Sequence, residues 1–161
     1  MKTNAARILD TLGIDYRLAS YEVDEEDLSA THLADMIDED PERIFKTLVL
    51  RGDRTGPVVC VIPGGRELDL KKAAKASGNK SCAMLPLKDL QGMTGYIRGG
   101  CSPLGMKKRF PTYIHASAPD HKEVFISAGL RGLQLVLAPD DLVAAAEATV
   151  ADLTRKDKGE Q

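Results

Sequence analysis

The sequence contains no tryptophan and few aromatic residues of any kind. Aromatic side chains make up 4% of its 161 residues, as four Tyr and three Phe, so any aromatic binding platform must use one of these seven. Apolar residues make up 43% and charged residues 29%, which is enough apolar material for one core and excludes a disordered chain. We expect one domain over residues 1–161, with a frayed tail at 156–161.

Cysteine is too scarce and too scattered for a disulfide framework or a zinc site. The three cysteines, Cys60, Cys82 and Cys101, are odd in number, contain no C-x-x-C pair and lie away from the histidines. We therefore expect a reduced protein with no metal and no other cofactor.

No stretch is both apolar enough and long enough to cross a bilayer. The longest apolar run covers only residues 57–63. Residues 1–16 predict an amphipathic helix and lack the apolar centre of a signal peptide. The sequence thus predicts a cytoplasmic protein without a membrane partner.

The net charge is also small, −2, and taken as a total it argues against a polyanionic partner. The charges are unevenly distributed, however. Residues 1–44 carry a balance of −8, whereas residues 66–109 hold ten basic and three acidic residues. Such asymmetry can mark a nucleic-acid-binding face, although scattered charges on solvated helices are the commoner explanation.

Apolar periodicity predicts helices and strands in mixed order. Helices are predicted near residues 5–12, 31–37, 69–76, 86–91 and 140–155, and strands at 16–21, 45–50, 58–62, 82–85, 112–115, 123–127 and 133–137. The strand at 58–62 is apolar at every position, which indicates burial on both faces. Hairpin-like strand pairs among helices favour an α+β or mixed α/β domain over a regular βαβ repeat.

The glycine-rich loop 99–105 is the most informative segment for function. Adjacent Gly99 and Gly100 allow backbone amides to turn toward one oxygen, Pro103 stiffens the turn, and Ser102 adds a hydroxyl donor. An ordinary surface turn is the commoner meaning of this pattern alone. Three basic residues follow directly, which favours phosphate recognition: Lys107, Lys108 and Arg109.

Lys46 is the second unusual feature, because it interrupts an apolar strand between Phe45 and Thr47. It either points to solvent, the commoner outcome, or faces a pocket where it binds a phosphate or carboxyl oxygen. Loop 127–132 between two strands is a simple hairpin or a second pocket wall. Cys101 has no histidine near it in sequence, so we predict a pocket of amides, hydroxyls and one lysine without a covalent nucleophile.

Four segments together resemble the YbaK-type family of free-standing aminoacyl-tRNA deacylases, which are related to the editing insertion domain of bacterial prolyl-tRNA synthetases. The segments are Phe45–Val49, Leu70–Ala74, Gly95–Gly105 and Ser127–Leu133. The resemblance runs over about residues 5–150. It implies a single compact α/β domain with a mixed, mostly antiparallel sheet surrounded by helices.

The resemblance also implies hydrolysis of the ester of a mischarged tRNA, most typically Cys-tRNA(Pro), with the substrate's own thiol attacking its carbonyl. It implies a catalytic group of Lys46, Gly100 and Cys101. Implied substrate-binding residues are Tyr21, Phe45, Thr47, Gly99, Ser102, Pro103, Gly105, Ser127 and Gly129. Tyr21 or Phe45 would stack on the terminal adenine, and Lys107, Lys108 and Arg109 would bind the tRNA.

The expected partner is the acceptor end of a mischarged tRNA, and no DNA partner is expected. Whether prolyl-tRNA synthetase also binds is left open. Two alternatives remain: a deacylase for another small amino acid, Ala or Ser, and a non-catalytic module that binds tRNA or a nucleotide. Cys101 stands where the family usually has a small aliphatic residue, and Leu130 where a second basic residue is common.

Overall fold

The computed structural model describes residues 2–155, and their eight strands form two sheets. A five-stranded sheet has the order β4-β2-β3-β5-β8, and a three-stranded antiparallel sheet has the order β1-β7-β6. The strands are β1 Arg17–Ser20, β2 Phe45–Gly52, β3 Gly56–Pro63, β4 Cys82–Met84, β5 Thr112–His115, β6 Val124–Leu130, β7 Leu133–Leu137 and β8 Thr149–Ala151.

Five α-helices of the described residues surround these sheets. They are α1 Asn4–Thr11, α2 Ala30–Met36, α3 Leu70–Ser77, α4 Leu87–Thr94 and α5 Pro139–Ala146. Their ends follow local capping chemistry: the Ser29 hydroxyl accepts a hydrogen bond from the His32 N–H and starts α2, and Asp69 starts α3. Gly78, at φ +76°, ends α3 in the left-handed conformation that suits glycine.

The strand β3 lies at the centre of the five-stranded sheet and is buried on both faces, as predicted. It pairs antiparallel with β2 and parallel with β5. Val59 and Val61 pack toward the three-stranded sheet, whereas Val58, Cys60 and Ile62 pack toward α3. Pairing of β5 with β8 is parallel too, and the other ladders are antiparallel. The mixed α/β fold is therefore confirmed, with its strands divided between two sheets.

The predicted closing helix over 140–155 is wrong in its second half. The helix α5 ends at Ala146, and Glu147 adopts a left-handed conformation at φ +51°. Residues 149–151 then form β8 beside β5. Apolar periodicity does not reveal this, because a short strand next to an open sheet edge is stabilised by pairing with a distant segment. The predicted tail at 156–161 lies outside the described residues.

The two sheets enclose the main core, and the site forms where they meet. Phe45 and Val49 of β2 pack with Ile126 of β6 and Leu135 of β7, and Leu9 of α1 closes the cluster. Among residues 2–155, no helix is long and apolar enough to span a membrane. The start of β2, the β6–β7 hairpin and the loop 95–105 converge beside this core and frame the candidate site.

Candidate functional site

A cavity of about 530 Å³ opens between the segment 21–29, the start of β2, the loop 95–105 and the β6–β7 hairpin. We call it the first cavity. Seven of the residues implicated from the sequence line it: Tyr21, Phe45, Lys46, Thr47, Gly99, Cys101 and Ser127. They come from four separate segments of the chain, which the fold brings together at one place.

Lys46 projects from the start of β2, at the sheet edge where the cavity lies. Its ammonium is half-buried, and Nζ donates to the carbonyl oxygen of Gly64 at 3.2 Å. Within residues 2–155 no carboxylate forms an ion pair with it. Burial lowers the pKa of Lys46, and the more distant Glu67 opposes this only in part. Because an ammonium has three N–H donors and this one has a single protein acceptor, donors remain for oxygens in the cavity.

Two other lining groups are buried polar atoms without a hydrogen-bond partner, Oγ1 of Thr47 and Oε1 of Gln134. A buried polar atom left without a partner costs about 1–3 kcal/mol, so such atoms commonly mark a place where a ligand or water binds. Gln134 pairs across the β6–β7 ladder with Ser127. Sequence reasoning missed Gln134, although a lone amide within the apolar strand Leu133–Leu137 opposite Ser127 was an available signal.

The glycine loop faces the first cavity only with its first residues. Gly99 and Cys101 line the cavity, and their N–H groups have no acceptor among the described residues. Gly100 does not line it, and its N–H donates to the carbonyl oxygen of Ile97 at 2.9 Å. The loop amides beside the cavity that have no acceptor in the described part of the chain are therefore those of the residues on either side of the predicted Gly100.

Ser102, Pro103 and Gly105 also lie away from the first cavity. Ser102 is fully buried, and its Oγ accepts the Leu104 N–H at 3.2 Å, so its hydroxyl stabilises the loop. Gly105 has φ +82°, and a β-carbon there would lie 2.7 Å from the hydroxyl oxygen of Tyr96. That hydroxyl donates to the carbonyl oxygen of Leu104 at 2.5 Å. Tyr96 thus holds the second half of the loop in place.

The β6–β7 hairpin orients Ser127 through Gly129. The Gly129 N–H donates to Ser127 Oγ at 3.1 Å, next to a register shift in the ladder. Gly129 itself does not line the cavity; its φ is +100°, and a β-carbon there would lie 3.0 Å from the Tyr96 ring. Gly129 therefore allows close packing with Tyr96, whereas Ser127 faces the cavity.

Cys101 lines the cavity as a protonated thiol. Burial raises its pKa to about 12, and the Thr94 side chain opposes this only in part. A thiol with so high a pKa is not a nucleophile near neutral pH. In the described part of the chain the histidines bond to other groups: His32 bonds to Asp24, and His115 to Leu153 and Arg66. The prediction of a site without a covalent cysteine nucleophile is consistent with this environment.

The two aromatic residues suggested for base stacking differ in accessibility. Phe45 is only 3% exposed and packs edge-on against His121, with ring centroids 6.4 Å apart. Its ring face is therefore committed to the core, whereas Tyr21 is half-buried at the cavity wall. Exposed apolar side chains also border the cavity, at the ends of α2 and β4 and at the start of α4: Met36, Met84 and Leu87.

A second cavity of about 590 Å³ lies between α1, the segment 103–112 and the end of α5. Pro103, Gly105, Lys108 and Arg109 line it. Two residues of the predicted basic triplet, Lys108 and Arg109, therefore border this second cavity, and none of the three lines the first. Lys107 turns instead toward α4, where Nζ donates to the carbonyl oxygen of Gly92 at 3.4 Å.

The charge of segment 66–109 is partly neutralised by carboxylates from outside it. Arg109 pairs with Glu147 at 2.5 Å, and Lys72 pairs with Asp152 at 2.9 Å. Arg66 pairs with Glu42. No group of three or more His, Cys, Asp or Glu side chains within residues 2–155 could hold a metal ion.

The chain is similar to known proteins in sequence and in structure. Residues 24–145 match the family model of the aminoacyl-tRNA editing domain. The chain is 50% identical over 156 residues, 97% of its length and 95% of the relative's, to an Enterococcus faecalis protein named Putative Cys-tRNA(Pro)/Cys-tRNA(Cys) deacylase EbsC. It is 30% identical over 100 residues to the Bacillus subtilis protein YwhH, covering 62% of this chain and 63% of that protein.

Solved structures share the fold. A crystal structure assigned as a trans-editing enzyme for prolyl tRNA synthetase superposes with a TM-score of 0.81 at 24% identity, covering 97% of this chain and all of that one. At this identity the structural similarity supports only the fold, and the family assignment rests on the sequence matches. The chain belongs to the aminoacyl-tRNA editing domain family.

Proposed function

We propose that this protein is an aminoacyl-tRNA deacylase that hydrolyses the ester of mischarged Cys-tRNA(Pro). The observation that carries the proposal is the pairing, in one cavity, of the half-buried Lys46 ammonium with two free backbone amides, those of Gly99 and Cys101. These groups suit an ester substrate, because negative charge develops on the carbonyl oxygen during acyl transfer. The name of the Enterococcus faecalis relative supports the choice of a cysteinyl substrate.

In the proposed reaction the substrate supplies its own nucleophile. The cysteinyl sulfur bonds to its own carbonyl carbon while the bond from that carbon to the ribose oxygen breaks, and the thiol proton passes to the ribose oxygen. Water then opens the resulting thiolactone and releases cysteine. The raised pKa of Cys101 supports this route over attack by the protein's own thiol. The chain's contribution is orientation and oxyanion stabilisation, which together can supply most of the rate for an already activated ester.

Each side of the cavity has a distinct part in this proposal. Lys46 anchors oxygens of the terminal adenosine, and the amides of Gly99 and Cys101 stabilise the carbonyl oxygen. Thr47 Oγ1 and Gln134 Oε1 accept hydrogen bonds from substrate N–H or O–H groups, which satisfies two buried acceptors that otherwise have no partner. Tyr21 is the aromatic residue that remains available for the adenine.

An editing reaction of this kind answers a general difficulty of amino acid selection. A site that binds proline cannot strongly reject a smaller side chain by contact alone, since one missing methylene changes binding by only about 1–3 kcal/mol. A second cavity that hydrolyses the wrong product removes the error. This function also predicts a cytoplasmic location, where tRNAs are charged and used.

The decisive experiment follows ester hydrolysis on tRNA(Pro) charged with Cys, Ala or Ser. We expect the wild-type protein to release cysteine fastest, and Lys46→Ala to lose about a hundredfold or more in kcat/KM. The matched control is Lys75→Ala, which removes an exposed lysine of α3 that lines neither cavity. Faster release of Ala or Ser would replace the proposed substrate, and tight binding without turnover would indicate a non-catalytic tRNA-binding module.

A finer proposal concerns the partner. We propose that the cavity recognises the cysteinyl group, and that prolyl-tRNA synthetase selects the tRNA body. The relative's name, which covers both Cys-tRNA(Pro) and Cys-tRNA(Cys), supports this division. The protein alone should then hydrolyse the two substrates at similar rates, and added prolyl-tRNA synthetase should favour Cys-tRNA(Pro). A preference already present without the synthetase, or one that the synthetase leaves unchanged, would contradict the division.

A further inference from the structure

Two arginines from separate loops are joined by a hydrogen bond beside the first cavity, and one of them, Arg98, lines it. Arg98 precedes the glycine loop, is exposed and lines the cavity. Arg131 lies in the turn between β6 and β7, and its Nε donates to the carbonyl oxygen of Arg98 at 2.8 Å. Apart from Lys46, Arg98 is the only basic residue among the described residues that line this cavity.

Neither arginine has a carboxylate partner in the described part of the chain, since no ion pair of residues 2–155 includes Arg98 or Arg131. Two like charges held on adjoining loops repel each other, and a nearby anion relieves that repulsion. Other arginines of the chain show the contrast: Arg43, Arg51 and Arg109 each pair with an acidic side chain.

The backbone of both loops is shaped so that the two residues can approach. Gly99 has φ +84°, and a β-carbon there would lie 3.3 Å from Arg131 Nε, so glycine leaves space for the guanidinium. A β-carbon on Gly100 would likewise lie 3.2 Å from the backbone nitrogen of Arg131. The contact therefore joins the Arg131 side chain to the Arg98 backbone, and the close approach of the two loops supports it.

We propose that Arg98 and Arg131 bind the phosphodiester group on the 5′ side of the adenosine that occupies the first cavity. The inference rests on the proposed function for the identity of the strand. A guanidinium presents a planar fork of donors that matches two phosphate oxygens. The carboxylates of Asp24 and Asp27, which line the same cavity, are already engaged with His32 and Ser29. The phosphate is thus recognised at the cavity mouth, while Lys46 acts inside.

The test measures equilibrium binding and needs no turnover. The probes are adenosine, 5′-AMP, the dinucleotide CpA and inorganic phosphate, and the proteins are the wild type, the double variant R98A/R131A and the control variant Lys75→Ala. We expect the wild type and the control to bind 5′-AMP and CpA about tenfold or more tightly than adenosine. In the double variant this preference should disappear, and R98K/R131K should restore only part of it because lysine lacks the fork.

Each other outcome overturns the proposal. If the double variant keeps the preference for CpA over adenosine, these arginines do not bind the phosphate. If inorganic phosphate binds as tightly as CpA, the arginines form a site for free anions and not for a strand. If the double variant loses affinity equally for adenosine, 5′-AMP and CpA, the two arginines shape the loop and do not bind the phosphate. Failure of the proposed hydrolysis, measured separately on Cys-tRNA(Pro), leaves these binding results interpretable.

Discussion

The two cavities share one wall, the loop 99–105, yet they hold different kinds of polar group. The first cavity contains a half-buried ammonium and two buried acceptors without partners, Thr47 Oγ1 and Gln134 Oε1. The second is bordered by exposed cations, and one of these, Arg109, already pairs with Glu147. No unpartnered buried side-chain atom of the described residues lies among its lining residues.

Because of this difference, the first cavity has the groups that a reaction needs, whereas the second offers only a surface for contact. Removed from water, a charge or a hydrogen-bonding group acts strongly on whatever occupies the cavity, and leaving it without a partner has a cost in stability. Exposed cations are screened by salt and contribute little individually. We therefore propose that the reaction takes place in the first cavity and that the second contributes, weakly, to tRNA binding.

The largest contrast is expected from two glycines of the shared loop. Gly99→Ala should lower kcat/KM about a hundredfold, because it strains a positive φ beside the amides that we propose as the oxyanion donors. Gly105→Ala should instead lower Tm by about 5 °C, since its β-carbon would collide with Tyr96. Thermal unfolding and steady-state kinetics on both variants check this; an equal loss of activity in both would remove the functional distinction between the two halves of the loop.

The unpartnered acceptors of the first cavity give the next largest effect. Thr47→Val and Gln134→Met remove a buried polar atom and keep the volume roughly constant. We expect each to lower kcat/KM about tenfold and to raise Tm by about 2–4 °C, because an unsatisfied group is removed. Ser117→Ala is the control, as its Oγ is also buried without a partner but lines neither cavity. A fall in both activity and Tm would mean that these atoms serve the core and not the substrate.

A smaller effect is expected at the second cavity. The double variant Lys108→Ala/Arg109→Ala should raise KM for charged tRNA about threefold at physiological salt and less at high salt, because exposed cations act through a screened field. Kinetics at two salt concentrations measure this. A loss of a hundredfold or more in kcat/KM would show that the second cavity is as important as the first and would contradict the distinction between them.

The smallest effect concerns pH and a residue outside both cavities. His115 is 5% exposed; its Nδ1 accepts the Leu153 N–H, and burial, aided by Arg66, lowers its pKa. The folded state therefore disfavours the protonated form, so stability is full above the unfolded pKa of about 6.5 and falls as the pH drops below it. Thermal unfolding between pH 7.5 and 5.5 should show this fall, and His115→Gln should reduce it. An unchanged slope would show that another group titrates.

Much of the fold was accessible to sequence reasoning because its causes are local. An uninterrupted apolar run predicted the central strand β3, and apolar periodicity predicted the helices α2 and α3 to within a residue or so of their ends. Half of the predicted closing helix was wrong, because the strand β8 depends on pairing with β5, more than thirty residues earlier in the chain. Helix formation and strand burial depend on neighbouring residues, whereas strand pairing depends on residues that are far apart in the chain.

For the site, the sequence by itself determined which residues are unusual: a lysine in an apolar strand, a glycine-rich loop and a basic triplet. Only the tertiary structure decided how they combine. It placed Lys46, Gly99, Cys101 and Ser127 around one cavity and turned the basic triplet away from it. It also added two features that sequence reasoning missed, the unpartnered Oε1 of Gln134 and the contact of Arg131 with Arg98. Both depend on which way side chains point after distant segments pack, and that is set by the whole core.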